Sequence, residues 1–224
     1  MNKYLSEQDH FFSRVSHDLR GSFTSILGFS DILNDFDENL SNEEIKEFTK
    51  RIGKQTHDSF NLLVNFINWL KLEHYNNRLT LEKIDMFEVL YEAENNYKSK
   101  FLKKDIKTEL EIEENQFVRM DFEIIQSIFN NIFLFLMKIS NQDSKLIISS
   151  KSNDSNYIKV EIFFSSNHLD ISYLQNINLI ELNNNLSFPM IFAIKFTELS
   201  GGSFKIGSEK DNSLIIEMKL PKFT

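Results

Sequence analysis

A histidine and an aspartate stand side by side in the stretch FFSRVSHDLRGSF, which covers residues 11–23. A neutral imidazole is nucleophilic and titrates near neutral pH, so an accessible His17 could form a covalent intermediate. Asp18 could accept a hydrogen bond from a ring nitrogen or orient a proton, although adjacent helical residues do not directly face one another. The chemistry open to this pair depends on which way His17 points.

The surrounding residues have the pattern of an amphipathic helix. Apolar side chains recur at alternating steps of three and four, with Ser22 in the remaining position of the stripe: Val15, Leu19, Ile26, Phe29 and Leu33. Each helical residue turns by about 100°, so His17 lies on the opposite side of the helix from Val15 and Leu19. The helical phase therefore predicts an exposed His17. Exposure alone does not separate a reactive histidine from an ordinary surface one.

A second helix is predicted after a break at DFDENLSNEE. Ser41 followed by Glu44 has the spacing of a capping box. One face of this second helix carries Ile45, Phe48, Ile52, Leu62, Phe66 and Trp69. A hairpin of two such helices cannot bury both apolar stripes alone. Residues 1–76 are therefore predicted to form a helical hairpin that dimerises into a four-helix bundle.

Residues 77–224 alternate between strand and helix patterns. The predicted order is strand, helix, strand, apolar helix, strand hairpin, helix and final strand hairpin, with Gly201 and Gly202 closing the last helix. This order predicts an α+β fold in which helices cover one face of a sheet. Together with the hairpin, it gives a two-domain chain divided between residues 76 and 77.

Composition restricts the class of protein. The net charge of −8 argues against nucleic-acid binding, which needs clustered Lys and Arg. The chain has no cysteine, which fits a reducing cytoplasm, and no apolar run near the roughly 20 residues of a membrane span. The histidines and acidic residues show no metal-ligand spacing, so no metal site is predicted.

Two segments resemble one known family. FFSRVSHDLRGSFTSILGFSDIL resembles the phospho-accepting helix of bacterial sensor histidine kinases, and AIKFTELSGGSFKIGSEKDNSLIIEMKLP resembles the end of their ATP-binding domain. The resemblance runs in order from Phe11 to Pro221. It implies that His17 is the phosphoacceptor, that Asp18 is its acidic neighbour, and that residues 77–224 form an ATPase-like α/β sandwich.

The resemblance also defines a face for a partner around His17. Arg14 and Arg20 lie one turn on either side, where they could meet a phosphoryl group or the acidic rim of a receiver domain, or remain solvated charges. Gly21 replaces the polar residue that the family usually has four residues after the histidine, which leaves space for a docking partner. With Thr24, these residues form the predicted partner-binding set.

The nucleotide site departs from the family pattern. The resemblance aligns Asn131 with the first asparagine of the magnesium-binding helix but puts Phe135 at the metal-binding one, and a phenyl ring offers Mg²⁺ no oxygen. Residues 164–166 (FSS) replace the adenine-binding aspartate, and Pro189 and Ile191 replace glycines of the phosphate loop. Residues 54–200 contain no glycine, and phosphate-cradling loops depend on glycine.

These observations favour a histidine phosphotransferase of a two-component phosphorelay. His17 would accept a phosphoryl group from the aspartyl phosphate of one receiver domain and pass it to another. The chain would bind no cofactor of its own, because the receiver supplies Mg²⁺. Two alternatives stay open: a non-catalytic pseudo-histidine-kinase that binds and modulates a response regulator or a kinase, and an active autokinase with an atypical ATP site.

Overall fold

A computed structural model describes residues 2–35, 40–74, 79–152, 156–167, 169, 188–207 and 212–224. The resemblance assigns the nucleotide lid to residues 167–187 (NHLDISYLQNINLIELNNNLS), which lie outside the described residues except for positions 167 and 169. The chain divides into two compact units, Met1–Ile67 and Asn68–Thr224. The sequence-based boundary after residue 76 follows the end of the second helix, whereas this division assigns the last turns of that helix to the second unit.

The first unit is a helical hairpin. Helix α1 spans Asn2–Asn34, and helix α2 spans Asn42–His74 and continues into the second unit. Phe12 meets Phe66 edge to face with 5.4 Å between ring centroids, and Phe29 stacks on Phe48 at 5.5 Å. These pairs run in opposite directions along the two helices, so α1 and α2 are antiparallel. The predicted hairpin is confirmed.

The start of α2 is the predicted capping box. The Ser41 backbone N–H donates to Glu44 Oε2 at 2.8 Å, and the Glu44 backbone N–H donates to Ser41 Oγ at 3.3 Å. Two backbone donors that the helix cannot satisfy internally therefore have partners. The backbone and side-chain hydrogen bonds from Ser41 hold the pKa of Glu44 below its usual value.

The second unit is an α+β sandwich, as predicted. Its elements in chain order are β1 Leu81–Asp85, α3 Met86–Lys103, β2 Ile106–Ile112, β3 Phe117–Asp121, α4 Phe122–Ile139, β4 Ser144–Lys151, β5 Tyr157–Ser165, α5 Phe188–Leu199, β6 Ser203–Gly207 and β7 Ser213–Pro221. Strands β2-β4-β5-β7-β6 form a five-stranded sheet in which only β2 and β4 pair in parallel. Strands β1 and β3 form a separate antiparallel pair.

Both strands of the small sheet end in a helix cap. Asp85 closes β1, and its side chain accepts the N–H of Phe87 at 2.8 Å in the first turn of α3. Asp121 closes β3 and accepts the N–H of Glu123 at 3.0 Å in the first turn of α4. Strand β3 was not predicted, because its five residues are too few for a clear alternation and its partner is distant in sequence.

Helix α4 is the centre of the core. Nine of its residues are buried, and the alternating burial along β5 shows that helices cover one face of the sheet. By length and composition alone, α4 is apolar enough to cross a membrane. Its buried side chains pack inside the second unit, which accounts for the apolar composition without a membrane.

Helix α5 ends in a Schellman motif, in agreement with the predicted glycine closure. Gly201 has a φ of +83°, the Gly202 N–H donates to the Thr197 carbonyl at 2.9 Å, and the Gly201 N–H donates to the Glu198 carbonyl at 3.0 Å. A Cβ on Gly202 would lie 2.3 Å from the Lys219 carbonyl oxygen of β7. The second glycine is therefore required by close backbone approach.

Candidate functional site

His17 lies on the solvent-facing side of α1. Its side chain is 84% exposed, whereas Val15, two residues earlier, is only 2% exposed. The exposure predicted from helical phase is confirmed. His17 Nδ1 lies 3.1 Å from Asp18 Oδ1, although the two residues are adjacent on the helix.

The contact with Asp18 distinguishes the two ring nitrogens. When Nδ1–H donates to the carboxylate, the neutral imidazole has its free electron pair on Nε2. The side of the ring that carries Nε2 is the one available to an approaching electrophile. The pair therefore has the arrangement of a nucleophile oriented by a carboxylate.

The predicted partner-binding residues share one helical face with His17. Arg14, Gly21 and Thr24 lie three residues before, four after and seven after the histidine, which are same-face spacings on an α-helix. Arg20 also lies within about 60° of His17 around the helix. Arg20 and Thr24 are exposed and Arg14 is half-buried. Helix α1 thus brings the set together on one surface.

The prediction that glycine at position 21 leaves space for a docking partner is not supported by the packing around it. A Cβ built at Gly21 would meet nothing within 4 Å, so the surface there is open whether or not the residue is glycine. Glycine is not needed to make room within the chain. What Gly21 lacks is a polar side chain one turn from His17, together with some helix stability, about 1 kcal/mol relative to alanine.

Sequence analysis missed a second apolar stripe on the hairpin. Among the side chains that the structure describes in the first unit, exposed large hydrophobic residues fall on one face of each helix: Phe23 and Leu27 on α1, and Phe60, Leu63 and Ile67 on α2, with Ile32 exposed on another side of α1. The four-residue spacings from Phe23 to Leu27 and from Leu63 to Ile67 could have indicated this outer stripe. They were overlooked because the apolar pattern of the buried seam dominates the same helices. The register of the two ring pairs between the helices puts Phe60 level with His17. Phe60 and His17 therefore lie at the same height along the hairpin.

Asn131 and Phe135, which the resemblance aligns with the family's magnesium-binding helix, lie in the core of the second unit. Phe135 is 1% exposed, and Asn131 is fully buried with its Nδ2 donating to the Ser127 carbonyl at 2.8 Å. A phenyl ring cannot coordinate a hard cation. Asn131 is buried and its Nδ2 donates within its own helix, so neither residue presents a solvent-exposed oxygen ligand.

Phe164, Pro189 and Ile191, which the resemblance aligns with other nucleotide-site positions, are hydrophobic. Phe164 is fully buried in β5, between Leu146 of β4 and Leu214 of β7 in the sheet register. Pro189 lies in the first turn of α5, where its missing N–H is tolerated, and Ile191 is 2% exposed. A packed strand is therefore found at the position that the resemblance aligns with the family's carboxylate, and a regular helix at the position that it aligns with the family's glycine-rich loop.

Comparison with known proteins gives distant relatives. No family model matches the chain. Drug sensory protein A of Synechocystis sp. is 24% identical over 63% of this chain and 21% of that protein. A sensor-like histidine kinase (ycf26) of Porphyra purpurea is 23% identical over 75% of this chain and 26% of that protein. The chain spans about a quarter or less of these curated relatives.

Solved structures with the same architecture match more of the chain. Histidine kinase AdeS of Acinetobacter baumannii has a TM-score of 0.71 at 16% identity, covering 93% of this chain and 98% of that chain. Histidine kinase ThkA, solved in complex with the response regulator protein TrrA, has a TM-score of 0.70 at 19% identity, covering 99% of this chain and 64% of that chain. The fold is therefore that of a histidine kinase core, a helical hairpin followed by an ATPase-like sandwich.

Fold and sequence comparisons point to the same class of protein. The chain has the fold of a histidine kinase core and is distantly similar in sequence to proteins named as sensor-like histidine kinases. Its departures from that class are concentrated in the second unit, whereas the His17 helix keeps an accessible histidine next to an aspartate.

Proposed function

We propose that this chain is a histidine phosphotransferase of a two-component phosphorelay, which moves a phosphoryl group between receiver-domain aspartates through His17 without binding ATP. The observation that carries the proposal is a contrast between the two units. His17 is 84% exposed beside Asp18, whereas Phe135 is a buried phenyl ring at the position that binds magnesium in the family.

The transfer step needs only groups that the two proteins would provide. Nε2 of His17 attacks the phosphorus of the receiver's aspartyl phosphate in line with the breaking P–O bond, so an N–P bond forms as the aspartate carboxylate leaves. The receiver's own carboxylates hold the Mg²⁺ that neutralises the phosphoryl oxygens. Asp18 stabilises the positive charge that develops on the imidazole. The reverse step delivers the phosphoryl group to a second receiver.

A receiver domain is the partner with the best structural support. The similar kinase ThkA was solved in complex with a response regulator protein. The face formed by Arg14, His17, Arg20, Gly21 and Thr24 offers two cations beside the nucleophile. An acidic receiver site carrying a phosphoryl group has the complementary charge.

A His17→Gln variant separates phosphotransfer from scaffolding. Gln keeps polarity and helix propensity but cannot carry the phosphoryl group. We expect it to abolish signalling in the cell of origin while leaving receiver binding in a pull-down unchanged, and His57→Gln on exposed α2 is the matched control. Undiminished signalling by the His17→Gln variant would contradict the relay and favour the scaffold function.

A calorimetric titration with Mg-ATP tests the absence of a nucleotide site. The expected result is no heat of binding at millimolar nucleotide, because the positions that bind metal and phosphate in the family carry Phe135, Pro189 and Ile191. Micromolar affinity would instead favour an autokinase with an atypical site.

A further inference from the structure

Helices α1 and α2 of the hairpin contain three interior glycines, Gly21, Gly28 and Gly53. None of them has a positive φ, and an added Cβ at each would meet no described atom within 4 Å. Neither backbone conformation nor packing within the chain therefore requires glycine there. Glycine is the poorest helix former after proline, because it loses the most backbone entropy on folding. The three residues thus weaken both helices without a gain in packing inside the chain.

Threonine hydroxyls weaken α2 at the same levels along the hairpin. Thr49 Oγ1 donates to the carbonyl four residues earlier at 2.7 Å, and Thr56 Oγ1 makes the same kind of hydrogen bond at 2.8 Å. Such hydrogen bonds slightly destabilise a helix and often bend it. In the register of the two ring pairs between the helices, Thr56 is level with Gly21 and Thr49 is level with Gly28. Gly53 lies between these two levels, so weak points on both helices coincide.

The seam between the two helices is polar at the end of this segment nearer His17. Ser22 of α1 is half-buried and level with half-buried Gln55 of α2, and Ser59 of α2 is only 4% exposed. Ser59 Oγ also donates to the carbonyl four residues earlier, at 2.8 Å. Helices in proteins gain most of their stability from packing of an apolar face, and these polar seam positions contribute little to it. Packing therefore does not compensate for the weak helix formers there.

We propose that residues 21–28 of α1 and 49–59 of α2 form a hinge in the hairpin, which begins one turn beyond His17. Sharp bends in helices occur at glycine–serine pairs, such as Gly21 with Ser22, and where side chains bond to the carbonyls of the preceding turn. Bending at this level changes the direction of the helical segment that carries His17 relative to the loop end of the hairpin. In the proposed phosphorelay, this freedom would let one histidine face meet two receivers of different shape. The hinge itself does not depend on that function.

Hydrogen exchange of the full chain, followed by mass spectrometry with no receiver present, tests the hinge. Backbone amides of residues 21–28 and 49–59 should exchange at least about tenfold faster than those of the flanking residues on both sides, 12–19 and 29–33 of α1 and 45–48 and 60–70 of α2. A minimum of protection between two protected flanks separates a hinge from fraying at the helix ends.

Alanine at two of the glycines tests the cause of the weak protection. Gly28→Ala with Gly53→Ala restores helix-forming residues outside the predicted partner-binding set, and should slow exchange in both segments by at least about fivefold. Ser13→Ala is the matched control, because it places alanine at an exposed position of α1 outside the hinge. It should leave exchange in the two segments within about twofold of wild type.

Two results would overturn the proposal. The first is that the two segments of the wild-type chain exchange no faster than their flanks. The second is that the alanine pair leaves their exchange unchanged or makes it faster. Faster exchange together with a lower mass of the assembled hairpin would show that the glycines make room for a second helix. Phosphotransfer is assayed separately with a phospho-receiver, so its failure and the failure of the hinge are distinguishable.

Discussion

At the scale of single residues, the proposed phosphoryl transfer depends on His17 and Asp18. The direction of His17 was predictable because a helix fixes the angle between neighbours, and one buried residue, Val15, sets the phase. The 3.1 Å contact to Asp18 was not predictable, because side-chain rotamers at adjacent positions do not follow from spacing. The same limit applies to Gly21, whose open surroundings depend on tertiary packing.

Substitution of Asp18 tests its role beside the imidazole. Asp18→Ala removes the carboxylate that orients Nδ1 and stabilises the developing imidazolium, so phosphoryl transfer to His17 should slow by roughly 10²-fold. Asp18→Asn keeps an acceptor oxygen, so its rate of phosphoryl transfer should lie between the rates of Asp18→Ala and the wild type. Rapid-quench measurement of phosphohistidine formation checks both variants.

Asp31→Ala is the control for the Asp18 variants, because Asp31 is also an exposed aspartate on α1. It should leave the transfer rate within about twofold of wild type, since surface substitutions away from a site have small effects. Equal rates for Asp18→Ala and Asp31→Ala would show that Asp18 has no part in the transfer.

At the scale of elements, most of the second unit was predictable from local pattern. Helix α3 and strands β4, β5 and β7 each have the length, periodicity or turn residues of their class. Strand β3 was missed, and the parallel pairing of β2 with β4 was not predicted. Both features depend on partners distant in sequence, and neither leaves a local signal.

The Schellman motif after α5 gives a stability prediction. Gly202→Ala should lower the free energy of unfolding by roughly 2–4 kcal/mol, because the added Cβ would overlap the Lys219 carbonyl. Gly201→Ala should cost about 1 kcal/mol through its left-handed backbone. Gly207→Ala, with nothing within 4 Å of the added Cβ, should change stability by less than about 0.5 kcal/mol. Urea denaturation measures the unfolding free energies of the three variants. Equal losses in all three would exclude the close approach of the Lys219 carbonyl as the reason for glycine at position 202.

The capping box at the start of α2 gives a pH prediction. Hydrogen bonds from Ser41 lower the pKa of Glu44 in the folded state, so its stabilising effect is present above the unfolded pKa. The effect is lost as pH falls through the lowered folded pKa. The difference in unfolding free energy between wild type and Glu44→Gln should therefore be largest near neutral pH and shrink in acid.

Denaturant titrations at a series of pH values measure this difference. Glu43→Gln, at the neighbouring exposed position of the same helical turn, is the matched control and should show a weaker pH dependence. A difference for Glu44→Gln that stays constant or grows on acidification would contradict the capping-box assignment.

At the scale of the whole molecule, the outer hydrophobic stripe of the hairpin would be removed from water by the predicted dimerisation. The inner seam alone led to the predicted dimeric bundle, but the exposed stripe of Phe23, Leu27, Phe60, Leu63 and Ile67 gives the more direct reason. Dimerisation of the hairpin stays a prediction. Because Phe60 lies level with His17, a dimer interface on this stripe would include the level of the candidate phosphoacceptor along the hairpin.

Leu27→Glu tests the hairpin dimer. Leu27 is 62% exposed in one chain, so a charge there costs little in the monomer but would be buried without a partner in a bundle. We expect the variant to shift the mass from dimer to monomer, and Lys54→Glu on exposed α2 to keep the dimer. Light scattering after gel filtration measures both, and an unchanged mass for Leu27→Glu would exclude this stripe as the dimer interface.

The central claim is that His17 receives its phosphoryl group from a receiver aspartate and not from ATP. The most direct measurement gives the purified chain either radiolabelled Mg-ATP or a radiolabelled phospho-receiver from the same cell, then follows acid-labile phosphate and maps it by peptide analysis. The account predicts label on His17 from the receiver, none from ATP, and none on the His17→Gln variant. Label from ATP, or no label on His17 from any receiver of that cell, would contradict it.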